Sequence, residues 1–239
     1  MAVEFSNQVV LVAGGTGGLG QAVSLAFLQA GARVVATYRK EAEFAALKRA
    51  AGAGTSSLTG YEVDVTDYAA AGKLVDTVLM QNRRLDAVVN TVGGYAGGLK
   101  LWEMDTKVFD QMLALNLRSG YALARAVIPA MLQQGRGAIV NVCAKAALDH
   151  AAGASAYATS KAAALALMDS LAADVKGTGV RVNSVLPSIM DTPANRQAMP
   201  GADFAKWPKT EDVARVILFL CSDDARVVQG AAVPVYGDS

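Results

Sequence analysis

The 239-residue sequence holds two cysteines, Cys143 and Cys221, and one histidine, His150. The cysteines form no CxxC pair and have no histidine-bearing ligand set beside them, which argues against a disulfide framework or a zinc site. No metal is expected, and both read as small buried hydrophobes. Charge of one sign is also missing: 22 basic against 21 acidic residues leave a net charge of +1, so no basic field addresses nucleic acid or an anionic membrane. No apolar run reaches the roughly 18 residues of a bilayer span, and Met1–Gln8 shows an acid but no cationic region ahead of an apolar core. A cytoplasmic, non-membrane protein is the expectation. Internal repeats, low-complexity tracts and linkers are lacking too. What is present is a chain 53% hydrophobic, enough for one large core, so residues 1–239 are expected to form a single domain whose partner is a small, weakly charged molecule.

Short apolar runs alternate with longer segments of helical period, the rhythm of βαβ units. Strands are expected at Gln8–Ala13, Arg33–Tyr38, Tyr61–Val65, Leu85–Asn90, Gly137–Cys143, Val180–Val185 and Ala231–Tyr236. Several are Val-rich without strict alternation, as in strands buried on both faces. Helical patterns run through Val108–Gln133 and Tyr157–Lys176, while Ala51–Gly60 reads as a surface loop. The fold class that follows is α/β, a doubly wound parallel sheet of about seven strands with helices on both faces.

Directly after the first expected strand comes Ala13-Gly-Gly-Thr-Gly-Gly-Leu-Gly20, and a helix begins at once. Glycines permit a tight turn and close backbone approach, and the helix N-terminus offers N–H groups to a pyrophosphate. A Rossmann-type dinucleotide site is the expectation, with Gly14, Thr16, Gly17, Gly18, Leu19 and Gly20 as its candidates, although such glycine loops also make ordinary turns. At the end of the second strand, Thr37-Tyr-Arg-Lys40 places no acid for an adenosine ribose; Tyr38 and Arg39 stand there instead, and Arg39 suits a 2′-phosphate. NADP(H) is therefore favoured over NAD(H). Farther on, Tyr157 and Lys161 lie four apart on a helical segment and so share a face. An ammonium near a phenol favours the phenolate and lowers its pKa from near 10, which would fit Tyr157 to donate a proton.

The spacing Gly14-x-x-x-Gly18-x-Gly20, Asp64-Val65, Asn90-Thr-Val-Gly-Gly94 and Tyr157-x-x-x-Lys161 together resemble the short-chain dehydrogenase/reductase family over nearly the whole chain. The resemblance implies a nicotinamide-dependent oxidoreductase in which Lys161 also binds the nicotinamide ribose and Asn116 supports a proton relay. It further implies Asp64, Val65, Asn90, Val92, Gly93, Pro187, Ile189 and Thr192 at the cofactor. A homodimer or homotetramer through the two long helices is implied as well. One departure stands out: where family members acting on carbonyls carry a serine, about thirteen residues before the tyrosine, this chain has Ala144. Cys143 is expected to point away from the site if the strand alternates, and Ser155 is too near Tyr157 in sequence to substitute.

A narrower resemblance tolerates that alanine. Gly93-Gly-Tyr-Ala-Gly-Gly98, Ala144-Lys-Ala-Ala-Leu-Asp149 and the stretch Leu186–Trp207 are similar to quinonoid dihydropteridine reductases. It implies reduction of a quinonoid dihydropteridine or similar imine-like substrate, with 187–209 as the substrate-binding loop and Ala144, Tyr95, Asn195 and Trp207 at the substrate. Tyr95 and Trp207 would offer flat faces to a pterin. Tyr95 in place of that branch's tryptophan, and Arg39 in place of its acid, depart from the pattern. Two alternatives stay open: a reductase of a 3-oxoacyl or ketone substrate, and a non-catalytic NADP(H) sensor. His150, the only histidine, has no partner evident in sequence.

Overall fold

Val-rich runs too short for helices form seven strands: β1 (Val9–Ala13), β2 (Arg33–Tyr38), β3 (Leu58–Glu62), β4 (Ala87–Asn90), β5 (Gly137–Val142), β6 (Val180–Pro187) and β7 (Ala232–Val235). All pair in parallel, in the order β3-β2-β1-β4-β5-β6-β7. The computed structural model describes residues 4–238, so the first three positions of the Met1–Gln8 segment lie outside the described residues. Between the strands run α1 (Gly18–Gln29), α2 (Glu41–Ala51), α3 (Tyr68–Asn82), α4 (Thr106–Leu113), α5 (Ser119–Gln134), α6 (Ser155–Asp174), α7 (Pro193–Ala198) and α8 (Thr210–Cys221).

Successive strand residues point to opposite faces, and both faces are covered. Val10, Val12, Val34, Val89 and Val140 pack with Phe27 of α1 and Ile217 of α8. On the other face Leu11, Val88, Ile139 and Val182 meet Val78 of α3, Leu123 and Val127 of α5 and Met168 of α6. The expected doubly wound sheet is therefore present. No helix among the described residues is long and apolar enough to cross a membrane.

Two expectations need correction. The third strand lies at Leu58–Glu62 and not Tyr61–Val65, and Ala51–Gly60 is not a loop throughout: it ends α2, makes a 3₁₀ stretch at Gly52–Ser57 and begins β3. The physical reason is Gly60, which pairs with Ala36 and whose bare Cα lets the Phe44 ring cover it; a Cβ there would collide with that ring. Second, the segment expected as one helix at Val108–Gln133 contains a π turn at Ala114–Arg118 between α4 and α5. Such turns are frequent at functional sites.

The strand order reverses between β1 and β4, which opens a crevice beyond the carboxyl ends of the strands. At the opposite end of the same strands, the buried Asp86 carboxylate accepts from the Val9 N–H at 2.9 Å and from Arg84 Nε at 2.7 Å. This ties β1 to β4 away from the crevice.

Candidate functional site

The turn from β1 into α1 is built for close approach. Gly14 sits at φ +72°, a left-handed backbone that favours glycine. Its N–H donates to Thr37 Oγ1 at 2.9 Å and its carbonyl accepts from the Gly17 N–H at 3.0 Å. A Cβ on Gly20 would collide with the Gly14 carbonyl, so only glycine lets helix and turn close. Gly17 caps α1 with no side chain, leaving the first-turn N–H groups of Gly18 and Leu19 and the positive helix end for an anion. That cradle fits a dinucleotide pyrophosphate. Thr16 donates its hydroxyl to Glu43 Oε2 at 3.2 Å, an acid that linear spacing did not place here because it arrives from α2.

Beyond β2, the Tyr38 ring stacks on Phe44 with centroids 4.8 Å apart, and its phenol is pushed up to about 12, chiefly by hydrogen bonding to Glu41. Arg39 is exposed. Asp64 is held below the usual carboxylate range by the Thr66 N–H and hydroxyl, and to a lesser degree by the Arg39 charge. Val65 is buried beneath.

At the centre, Ala13, Asn90, Asn141 and Ser184 stand in register across β1, β4, β5 and β6. Asn90 Nδ2 donates to Asn141 Oδ1 at 2.8 Å and to Ser119 Oγ at 3.1 Å, while its Oδ1 accepts from the Val92 N–H. This polar row fixes the start of the Val92–Gly94 segment. Asn116, on the π turn and 1% exposed, then grips Gly94 at both ends: Oδ1 accepts from its N–H at 2.9 Å and Nδ2 donates to its carbonyl at 3.0 Å. Asn116 Nδ2 also donates to Ser160 Oγ at 2.9 Å, and Ser160 donates to the Tyr157 carbonyl at 2.8 Å. Gly93 completes the junction, since a Cβ there would lie 2.8 Å from Asn116 Oδ1 and 3.2 Å from Lys161 Nζ. Asn116, Gly93, Tyr157 and Lys161, far apart in sequence, thus meet beyond the strand ends.

The electrostatics differ from the expectation. Lys161 is buried, its Nζ donates to the Val142 carbonyl at 2.9 Å, and burial lowers its pKa to about 8. Tyr157 is not lowered. Burial first, then Tyr95 and Cys143, push its phenol up to about 12. The sequence pairing of ammonium and phenol left out desolvation, which raises the phenol in this geometry. Cys143 also departs from expectation. Residues 139, 141 and 143 share the face covered by α5 and α6, so Cys143 lies towards Tyr157 and Lys161, its Sγ accepting from Asn141 Nδ2 at 3.3 Å. Ala144 follows β5 in extended conformation, buried.

The segment 187–209 folds on itself. Pro187 closes β6; Ile189 is exposed; Thr192 caps α7 and its methyl would meet a Cβ on Gly18 at 3.3 Å, which places it over the glycine turn. Asn195 spends its amide on the Met190 carbonyl at 2.8 Å. Trp207 is buried, 5.0 Å from the Phe204 ring, and leaves little open face for a pterin. Tyr95, in contrast, is exposed and set edge-on to Tyr157. His150 rests against the Ala147 carbonyl. Sequence reasoning missed Ser160, Thr37 and Asn141. Only Thr37 carried a signal, its place at the end of β2.

Comparison with known proteins agrees with this geometry. The family model for short chain dehydrogenase matches residues 8–202. The chain is 30% identical over 243 residues to 3-oxoacyl-(acyl-carrier-protein) reductase FabG of Thermotoga maritima, covering 98% of each chain. It is 32% identical over 244 residues to 2-(R)-hydroxypropyl-CoM dehydrogenase of Xanthobacter autotrophicus, covering 97% of this chain and 98% of the other. The solved structure of ElxO with NADP bound superposes with a TM-score of 0.91 at 25% identity, covering 96% of this chain and 97% of that one.

Proposed function

The chain belongs to the short-chain dehydrogenase family, and from that premise we propose that it is an NADP(H)-linked oxidoreductase that interconverts a small carbonyl compound and its alcohol. The observation that carries the reading is the meeting of Tyr157, Lys161 and Asn116 beyond the strand ends, beside a glycine turn shaped for a pyrophosphate. The two relatives named above are a reductase of a 3-oxoacyl group and a dehydrogenase of a hydroxypropyl group, which supports a carbonyl and alcohol pair. Arg39 and the absence of an acid at Tyr38 support the phosphorylated cofactor.

Bound along this crevice, a reduced nicotinamide supplies the hydride for the carbonyl carbon. The chain supplies the rest. Tyr157 donates its phenolic proton to the carbonyl oxygen, so hydride and proton together convert C=O to CH–OH. Its high pKa keeps that proton in place until negative charge builds on the oxygen. Lys161, charged below about pH 8, lends positive potential to the phenolate left behind and a donor for the nicotinamide ribose. Asn116 fixes Gly94 and, through Ser160, the first turn of α6. A homodimer or homotetramer on the outer faces of α5 and α6 belongs to the same reading; Tyr121, Ile128 and Leu167 line a shallow groove there.

One observation favours a second reading. With only a methyl at Ala144 and an open ring at Tyr95, the site also suits a quinonoid dihydropteridine, whose reduction builds less oxyanion charge. The test is NADPH consumption with ketones, aldehydes, quinones and quinonoid dihydropterin in parallel. Tyr157→Phe should lower turnover on the preferred substrate on the order of 10²-fold or more while leaving NADPH binding intact. Turnover of the pterin alone would replace the carbonyl reading, and no turnover with any acceptor would refute both.

A further inference from the structure

Ala144 leaves a question that the rest of the site answers. A carbonyl gathers negative charge on its oxygen as hydride arrives, and one placed donor to that oxygen is worth about 10²–10³ in rate. Tyr157 supplies one hydroxyl; the methyl of Ala144 supplies none. Other polar side chains nearby are engaged or withdrawn. Cys143 is buried, with its thiol pushed up by desolvation and its sulfur accepting from Asn141. Ser184 is buried within β6, and His150 leans on the Ala147 carbonyl.

Tyr95 is different in every respect. It follows Gly94, the residue that Asn116 holds by both N–H and carbonyl. Its backbone is therefore anchored to the same side chain that steadies α6 through Ser160. Its ring stands edge-on to Tyr157, centroids 5.0 Å apart with an interplanar angle of 74°. It remains 71% exposed, so substrate can reach it. Its hydroxyl lies over Gly97, where a Cβ would collide with it. Gly97 therefore provides the space this phenol occupies. Among the described residues that hydroxyl has no hydrogen-bond partner, an unspent donor at the mouth of the catalytic site.

We propose that the Tyr95 hydroxyl is the second donor to the substrate's reacting oxygen, standing in for the hydroxyl that Ala144 lacks. The inference rests on the carbonyl reading of this site. A hydroxyl can donate a hydrogen bond without transferring its proton, so Tyr157 alone is consumed and restored in each turnover. The phenols are close enough for Tyr95 to oppose ionisation of Tyr157.

The experiment compares wild type, Tyr95→Phe, and Tyr95→Phe with Ala144→Ser, using NADPH with a cyclic ketone, an aromatic aldehyde and a quinone. Phenylalanine keeps the edge-on ring and removes only the hydroxyl. The expected result is a fall in kcat/KM of roughly 10–100-fold in Tyr95→Phe with NADPH affinity unchanged, and recovery of most of it when serine is added at 144. A Tyr95→Phe enzyme equal to wild type overturns this inference alone. A loss that serine at 144 does not recover also overturns it, because the ring would then act by packing. A wild type inert toward all three substrates overturns the carbonyl reading and this inference with it.

Discussion

Replacing Asn116 by alanine removes three short hydrogen bonds at once, to the Gly94 N–H, the Gly94 carbonyl and Ser160 Oγ at 2.9, 3.0 and 2.9 Å, and a long one to Met112 Sδ at 3.8 Å. The side chain is 1% exposed, so water cannot readily replace them. At about 0.5–1.5 kcal/mol net for each bond, the loss is roughly 2–4 kcal/mol. For a chain of this length each kcal/mol shifts Tm by about 2–4 °C, so a fall of roughly 5–12 °C is expected. Ser160→Ala loses one of these bonds and its own bond to the Tyr157 carbonyl, so a smaller fall of roughly 3–8 °C is expected. Thermal unfolding followed by circular dichroism measures both. Because Gly94 carries Tyr95 beside Tyr157, kcat should fall in Asn116→Ala more than NADPH affinity does. An Asn116→Ala protein that melts with wild type, or no lower than Ser160→Ala, would refute the view that this amide holds the loop.

Three other outcomes are expected. Arg39→Ala should weaken NADPH on the order of 10-fold or more and leave NADH almost unchanged; equal losses in a fluorescence titration would contradict the 2′-phosphate assignment. Gly20→Ala drives a methyl into the Gly14 carbonyl and to 2.8 Å from Thr91 Oγ1, so cofactor affinity should drop on the order of 10-fold or more through overpacking, and an unaltered Kd would show that the turn yields. Lys161 has a folded pKa of about 8 against about 10.4 unfolded. Between those values the unfolded chain holds a proton that the folded one lacks, so this residue's contribution to stability rises with pH and is lost as pH falls through about 8. Urea midpoints of wild type and Lys161→Met should therefore diverge in favour of wild type from about pH 8 to pH 10; parallel curves would exclude the shift.

The parts legible in the sequence were those whose cause is local. A tight turn that must bring a backbone carbonyl against a helix needs glycine at 14 and 20, and the spacing shows it. Tyr157 and Lys161 share a helical face by arithmetic alone. Strand faces were legible only as far as the partner layers were known: Cys143 alternates as expected, but the layer on its side proved to be the one that bears Tyr157. The third strand was misplaced by three residues because Gly60 looks like a loop residue until Phe44 lies across it. Desolvation was the least visible quantity. Nothing in Tyr157-x-x-x-Lys161 says that both groups are buried, and burial reverses the sign expected for the phenol. Trp207 and Asn195 read as free to meet a ligand, yet their rings and amides are committed to the segment that carries them.

The Asp86 tie at the far end of β1 and β4 has a consequence for variation. It joins the two central strands to each other and to Arg84, a full strand length from Tyr95 and from the segment 187–209. Because the fastening and the rim share no residue, the rim can be rewritten by insertion, deletion or wholesale exchange without loosening the seam between the central strands. Libraries that randomise 95–103 and 187–209 should thus lose activity long before they lose the sheet, and a change of substrate is the cheapest change open to this chain.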